Sequence, residues 1–272
     1  MPTGLTLNKT LLPEQLAKLG YKNHMVGKWH LGFCRWEYTP TLRGFHSFFG
    51  FYTGATGHFD HTRGQGYDFR RNTIPLFRVK GAYSTDIFTD KAADIIKKHY
   101  FKRKPLFLYL SYQAPHAPLE VPNEAFKKIK TTGNTERDVY RAMVYKLDEG
   151  VGKVVKALKM SKEWMNTVLV FTTDNGGAVS QGGNNHPLRG TKGTLFERGP
   201  RGVAFALGGR VIRSGEISSW LMHITDWYPI LLATTGESRQ RMGLDGVDQW
   251  KMIQIGVKGL RQEMVYNLKT RP

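Results

Sequence analysis

The chain has 272 residues, 40% of them hydrophobic, and a single cysteine, Cys34. That length and apolar share supply a sizeable core and exclude a disordered tail, and one cysteine excludes an internal disulfide or a cysteine-ligated zinc cluster. The 40 Lys+Arg against 22 Asp+Glu leave a net charge of +18, which fits either a solvated basic surface or one that attracts polyanions such as nucleic acid or sulfated polysaccharide.

Residues 11–19 read as a helix, with Pro13 near its start and Gly20 just past its end. His24-Met25-Val26 reads as a short strand. Residues 44–66 are rich in glycine and aromatics and read as irregular. Residues 83–100 carry Ile87, Phe88, Ala92, Ile95 and Ile96 at helical spacing. The continuous apolar run 106–110 reads as an interior strand of a parallel sheet, buried on both faces. Residues 139–159 form a second helix with a stripe of Met143, Leu147, Val151, Val154, Val155 and Leu158. Residues 167–172 read as another interior strand and residues 203–207 as one more. Residues 220–232 read as a helix around Pro229, and residues 264–268 as a terminal strand. Strands alternating with helices predict an α/β fold with a mainly parallel or mixed sheet between helices. No run reaches the roughly 18 apolar residues of a membrane span.

In an open α/β sheet, ligands bind beyond the carboxyl ends of the strands. Three strand ends here run into functional groups: Gly27-Lys28-Trp29-His30, Gln113-Ala114-Pro115-His116 and Thr173-Asp174-Asn175-Gly176-Gly177. Singly, each has a plain structural reading: a core histidine, a surface lysine, an aspartate capping a turn. Three together predict a site, with Lys28, His30, His116, Asp174, Asn175 and Lys192 converging on one cleft. Asp174 and Asn175 offer two hard oxygen ligands suited to Ca²⁺ or Mg²⁺ rather than zinc. The glycine-rich, basic stretch 182–202 has no Walker or dinucleotide pattern, and it reads as a nucleotide loop or as one that brings Lys192 over another anion.

These residues resemble the sulfatase family, in its arylsulfatase B-like branch. The stretch from Gly20 through Gly27-Lys28-Trp29-His30 to Gly32 is similar to the second sulfatase signature, and Pro115-His116-Ala117-Pro118, Thr173-Asp174-Asn175-Gly176-Gly177, Gly182-Gly183-Asn184-Asn185 and Pro187-Leu188-Arg189-Gly190 with Lys192 follow in the family's order. Leu244-Asp245-Gly246-Val247-Asp248 resembles the segment that closes the large domain. The resemblance implies an alkaline-phosphatase-like fold, with residues 1–250 in the catalytic domain and 251–272 opening a C-terminal subdomain that is mostly missing. It implies sulfate ester hydrolysis with Ca²⁺ and a formylglycine nucleophile. The substrate would be a sulfated sugar, such as a glycosaminoglycan sugar, or an aryl sulfate, in a lysosomal or secreted protein. In these terms Asp174 and Asn175 bind the metal, Lys28 and His30 hold the nucleophile and the sulfate, His116 protonates the leaving oxygen and Lys192 binds the sulfate.

In the family an Asp-Asp metal pair and a Cys-x-Pro-x-Arg motif precede the second signature. Here 19 residues stand before Gly20, and Cys34 is followed by Arg35-Trp36-Glu37-Tyr38. The chain is therefore expected to be truncated at both ends, to lack the nucleophile segment and to be inactive alone. The alternatives are an inactive protein that binds sulfated glycans, or a phosphatase or phosphodiesterase of the same superfamily. Nucleic acid is not expected as a partner, since no stacking module or recognition helix is visible.

Overall fold

The computed structural model describes residues 4–213, 215–237 and 243–266. The chain divides into two compact units, residues 1–162 with 180–183, and residues 163–179 with 184–272.

The first unit opens with α1 (Leu12–Lys18), where Pro13 sits in the first turn and the Glu14 carboxylate accepts from the Leu11 amide. Strands β1 (Lys22–Lys28) and β2 (Ser47–Phe51) follow. Four two-residue strands come next: β3 (Thr62–Arg63), β4 (Gly66–Tyr67), β5 (Arg70–Arg71) and β6 (Ile74–Pro75). The unit continues with α2 (Ser84–Lys98), β7 (Leu106–Ser111), α3 (Asn123–Phe126) and α4 (Thr135–Met160). The main sheet has five strands in the order β6-β5-β2-β1-β7. β1 is parallel to β2 and to β7, and β5 and β6 add antiparallel turns at one side.

Successive strand residues point to opposite faces, and the core divides accordingly. Met25 packs with Trp29, Phe45, Phe48 and Tyr52 on one face, joined by Leu11 and Phe107. Val26 packs on the other with Phe51, Phe69, Phe88 and Ile95, joined by Leu106, Leu108 and Leu110. The mixed sheet with flanking helices is the expected architecture.

Two expectations about the sheet change. Residues 106–110 form β7 as expected, but β7 is an outer strand among the described residues rather than an interior one. A continuous apolar run carries no information about hydrogen-bonded neighbours, and only one face is well covered: Leu106, Leu108 and Leu110 pack into the core, whereas Tyr109 on the other face is exposed. Residues 44–66 are not wholly irregular, because Ser47–Phe51 is a core strand. Its Ser-Phe-Phe-Gly-Phe sequence hides the strand behind a glycine that the packing requires.

The second unit contains β8 (Leu169–Thr172), β9 (Ala204–Leu207), α5 (Trp227–Ala233) and α6 (Trp250–Ile255). β8 pairs only with β9 among the described residues, antiparallel, so it too is not an interior strand of a parallel sheet. Phe171 stacks on Phe205 at 4.9 Å across this pair. The helix around Pro229 is shorter than expected: a single 3₁₀ turn, Ile224–Asp226, leads into α5. Pro229 lies in the first turn of α5, where its missing N–H costs nothing. Met264 to Tyr266 form no strand, and residues 267 and 268 of the expected terminal strand lie outside the described residues.

The buried centre of the second unit is Asp226. Its carboxylate accepts from the His223 amide at 2.8 Å, the Val247 amide at 2.8 Å and the Arg261 Nε at 2.9 Å. Gly246 precedes that amide where a Cβ would lie 2.2 Å from the Thr225 carbonyl oxygen, which gives the Leu244–Asp248 segment its structural role. Burial pushes the Asp226 carboxyl up, but Arg261 and the two amides outweigh it and hold the group below the usual carboxylate range. Its stabilisation is therefore complete above the unfolded carboxylate pKa of about 4 and is lost as pH falls through the lower folded value. Asp226→Asn is expected to leave Arg261 buried without its counter-charge and to destabilise this unit by about 3–5 kcal/mol at neutral pH. Hydrogen exchange of the Val247 amide measures this, and protection unchanged from the parent chain would contradict it.

Candidate sulfate site

Lys28 closes β1, opposite Phe51 of β2. Beyond it the Trp29 and His30 amides donate to the Phe51 and Tyr52 carbonyls, both at 3.0 Å. Trp29 is buried, and its indole Nε1–H donates to the Gly32 carbonyl at 2.9 Å and the Tyr38 carbonyl at 3.0 Å. These bonds anchor the turn from which His30 projects with φ of +58°, an unusual left-handed conformation for a non-glycine residue. The His30 ring lies over Gly54, where a Cβ would come within 2.7 Å of Nε2.

β7 reaches Ser111 opposite Gly27, so the segment after it leaves the same carboxyl edge. Gln113 turns this segment, its carbonyl accepting from the His116 amide at 2.9 Å. Its buried side chain is locked onto Thr56: Oε1 accepts from the Thr56 amide at 3.1 Å, and Nε2 donates to the Thr56 carbonyl at 2.6 Å. Two further bonds tie the segments together. His58 Nε2 donates to the His116 carbonyl at 3.0 Å, and the Glu120 carboxylate accepts from the His58 amide at 2.6 Å. Burial pushes the His58 imidazole down to about 4, so it is neutral and carries its proton on Nε2.

The His116 ring is exposed, and its Nδ1 lies 2.7 Å from the Ala117 carbonyl. A carbonyl only accepts, so Nδ1 carries a hydrogen and Nε2 is the nitrogen that takes up or releases a proton. Lys28, His30 and His116 thus leave one edge of one sheet.

The other three expected residues share a loop of the second unit. The Thr173 amide donates to the Val203 carbonyl at 2.9 Å, and Asp174 follows, exposed. Asn175 Nδ2 donates to the Gly176 carbonyl at 2.8 Å, so its amide oxygen is not engaged in that bond. The Lys192 amide donates to the Gly177 carbonyl at 3.3 Å, so Lys192 joins the turn that carries Asp174 and Asn175. The buried Asn185 staples this loop: Oδ1 accepts from the Gly177 amide at 3.0 Å, and Nδ2 donates to the Gly177 carbonyl at 2.8 Å and the Gly190 carbonyl at 3.1 Å. Sequence reading places Gln113 and Asn185 in motifs but assigns neither them nor His58 a role, since their importance lies in partners distant in the chain.

The donor chemistry of Asp174 and Asn175 fits a hard cation. Among the described residues no group of three or more His, Cys, Asp or Glu is placed to hold a metal ion. Cys34 is exposed in a bend and does not match a formylglycine precursor.

A profile of the family described as Sulfatase matches residues 1–237. The chain belongs to the sulfatase family. Mouse Arylsulfatase J is 39% identical over 98% of this chain and 46% of its own length. Mouse N-acetylgalactosamine-6-sulfatase is 32% identical over 90% of this chain and 49% of its own. This sulfatase chain spans about half the length of the curated relatives it matches. Among solved structures, Ps i-CgsB in complex with k-i-k-neocarrahexaose superposes with a TM-score of 0.86 at 30% identity, over 93% of this chain and 59% of that one. A sulfatase yidJ from Bacteroides fragilis, at 20% identity and a TM-score of 0.75, shares the fold.

Asn185→Ala removes three bonds to part-buried backbone at a cost of about 1–3 kcal/mol. It is expected to speed hydrogen exchange at the Gly177 amide by at least about tenfold, with the amides of β1 unaffected. An unchanged Gly177 rate would show that Asn185 does not hold this loop.

Proposed function

We propose that the protein to which these residues belong hydrolyses sulfuric esters of sugars. The observation that carries the reading is the His116 imidazole, exposed beside the strand end of Lys28 and His30, with Nδ1 held by the Ala117 carbonyl and Nε2 left to move a proton. In the overall reaction a water oxygen ends bonded to the sulfur, which leaves as sulfate, while the sulfur–oxygen bond to the sugar breaks and a proton delivered from His116 Nε2 to the departing sugar oxygen completes the alcohol. General acid help of this kind contributes about 10²–10⁴-fold. Lys28 and His30 would offer hydrogen-bond donors to the sulfate oxygens, where charge builds in the transition state, and the family resemblance gives Lys192 a sulfate-binding role as well. By the same resemblance Asp174 and Asn175 would hold calcium, which when bound supplies a fixed positive charge.

Nothing in this sequence fits the nucleophile: its one cysteine lacks the Cys-x-Pro-x-Arg context. No step is derived through a formylglycine here. The substrate class is proposed as N-acetylgalactosamine sulfate esters of glycosaminoglycans, in an arylsulfatase B-like enzyme of a lysosomal or secreted compartment. The sulfatase signature around Lys28 and His30 and the names of the curated relatives support it. No helix among the described residues is long and apolar enough to cross a membrane.

The test separates binding from turnover. With calcium present, the 272-residue chain is expected to bind an aryl sulfate by calorimetry while hydrolysis stays at background. Lys192→Ala removes a charge-assisted hydrogen bond of about 1.5–3 kcal/mol and is expected to weaken binding at least about tenfold. Absence of binding, or binding indifferent to Lys192, contradicts the reading. Turnover that disappears in His116→Ala would reveal a nucleophile within these residues.

A further inference from the structure

The parallel strands give the first unit two different edges. The candidate site residues Lys28, His30 and His116 leave the carboxyl edge. The amino edge lies about 20 Å away, the length of a seven-residue strand. Each parallel strand has a lysine or histidine at, or within two positions before, its start: Lys22 for β1, His46 for β2 and Lys104 for β7.

The helices add to this edge. α2 and α4 run parallel, since Asp86 meets Lys146 at 2.8 Å and Thr89 lies against Gly150 further along both. Their carboxyl ends therefore finish on the same side, with Lys97 on α2 and Lys156 and Lys159 on α4, all exposed. Cations at helix carboxyl ends are favoured by the helix dipole alone, so these three have an ordinary structural explanation.

Lys102, Arg103 and Lys104 do not. They lie in a turn outside any helix, all exposed. The turn is pinned rather than loose. The Arg103 amide donates to the Tyr100 carbonyl at 3.0 Å, His99 Nε2 donates to the Lys104 carbonyl at 2.8 Å, and the Lys22 amide donates to the Pro105 carbonyl at 2.8 Å. No acidic residue occurs from Lys97 to Leu119, and Asp94, just before, is engaged by Lys98 at 2.7 Å and Lys91 at 3.7 Å. The local field is felt by the histidines. Burial, then Lys22, His99, His46 and Lys91, push His24 down to about 4, and burial, then Lys22 and Lys104, push His46 down as well.

We propose that this amino edge, centred on the Lys102-Arg103-Lys104 turn with Lys22 beside it, is a second anion-binding surface that takes a sulfated polysaccharide chain. The choice of partner rests on the sulfatase reading above; the surface itself does not. Lysine predominates, and Arg103 is the one arginine among the cations named. Flexible point charges suit the dispersed sulfates of a sugar polymer, whereas nucleic-acid recognition favours the planar guanidinium. A surface remote from the reacting edge would retain a polymer between encounters of its sulfate groups with the site, by raising their effective concentration.

The experiment measures binding of the 272-residue chain to chondroitin sulfate, and to single-stranded DNA of matched charge, by fluorescence anisotropy at about 0.1 M salt, where charges beyond about 10 Å are screened. Two variants are compared. One is K102E/R103E/K104E, with K102Q/R103Q/K104Q as a milder form should reversal disturb folding. The other is R71E/R78E/K80E, exposed cations outside this edge with the same change in net charge. The amino-edge reversal is expected to weaken chondroitin sulfate binding at least about tenfold, and the distal reversal less than about threefold. Equal losses in both reversals, or DNA bound more tightly than chondroitin sulfate, would overturn the proposal. If the edge variants lose the polymer while aryl sulfate fails to bind the parent chain, the surface stands and the sulfatase reading fails. If aryl sulfate binds through Lys192 but the edge variants keep the polymer, the reverse holds.

Discussion

The close approach of three backbones at Gly27 sets everything that follows in the first unit. A Cβ on Gly27 would lie 1.9 Å from the Ser111 carbonyl oxygen, and one on Gly50 would lie 2.0 Å from the Gly27 carbonyl oxygen. No side chain fits either place, and Gly27 also holds φ of +110°, which L side chains rarely adopt. This contact brings the ends of β7, β1 and β2 into one compact edge. Lys28, Trp29 and His30 come immediately after it on β1, and Gln113 to His116 come just after its partner on β7. The chemistry of the site is thus placed by a packing constraint one residue away from it.

From that register the electrostatics acquires a direction. The carboxyl edge gathers a few cations and imidazoles around strand ends, each held by its neighbours: Trp29 anchors the His30 turn, and Gln113 and His58 anchor the His116 segment. The amino edge gathers lysines in larger number. A net charge of +18 read from composition alone says nothing about this division. It follows from parallel strands, whose starts share one edge and whose ends share the other. Asn185 plays for the Asp174–Lys192 loop the part that Gln113 plays for the His116 segment: a buried amide satisfying backbone groups that no regular element pairs.

Helical periodicity made α2 and α4 legible, because a stripe of apolar residues is a local signal, and Pro13 and Gly20 marked the ends of α1. β1 and β7 were legible as apolar runs, but the neighbours of β7 and β8 were not, since pairing depends on residues far away in sequence. β2 was missed because Gly50 interrupts its aromatics, and the reason for that glycine is the backbone of Gly27, more than twenty positions earlier. Of the site, the residue types at the strand ends were legible, as was the resemblance they carry. The tautomer of His116, the neutral His58 behind it and the staple of Asn185 came only from tertiary contacts. The burial that makes them matter is invisible in a linear pattern.

The central claim is that the Gly27 contact, and not merely its backbone conformation, holds the site edge. Comparing Gly27→Ala with Gly20→Ala tests it directly. Both glycines have positive φ, +110° and +85°, but nothing lies within 4 Å of a Cβ on Gly20. Gly20→Ala therefore measures the conformational cost alone, about 1 kcal/mol or somewhat more. Gly27→Ala adds a collision with backbone that cannot move aside without parting β1 from β7. In urea denaturation the account expects Gly27→Ala to cost at least about 2 kcal/mol more than Gly20→Ala, with the imidazole NMR signals of His30 and His116 displaced in the first variant and unchanged in the second. Equal destabilisation by the two substitutions, with His30 and His116 undisturbed in both, would contradict it.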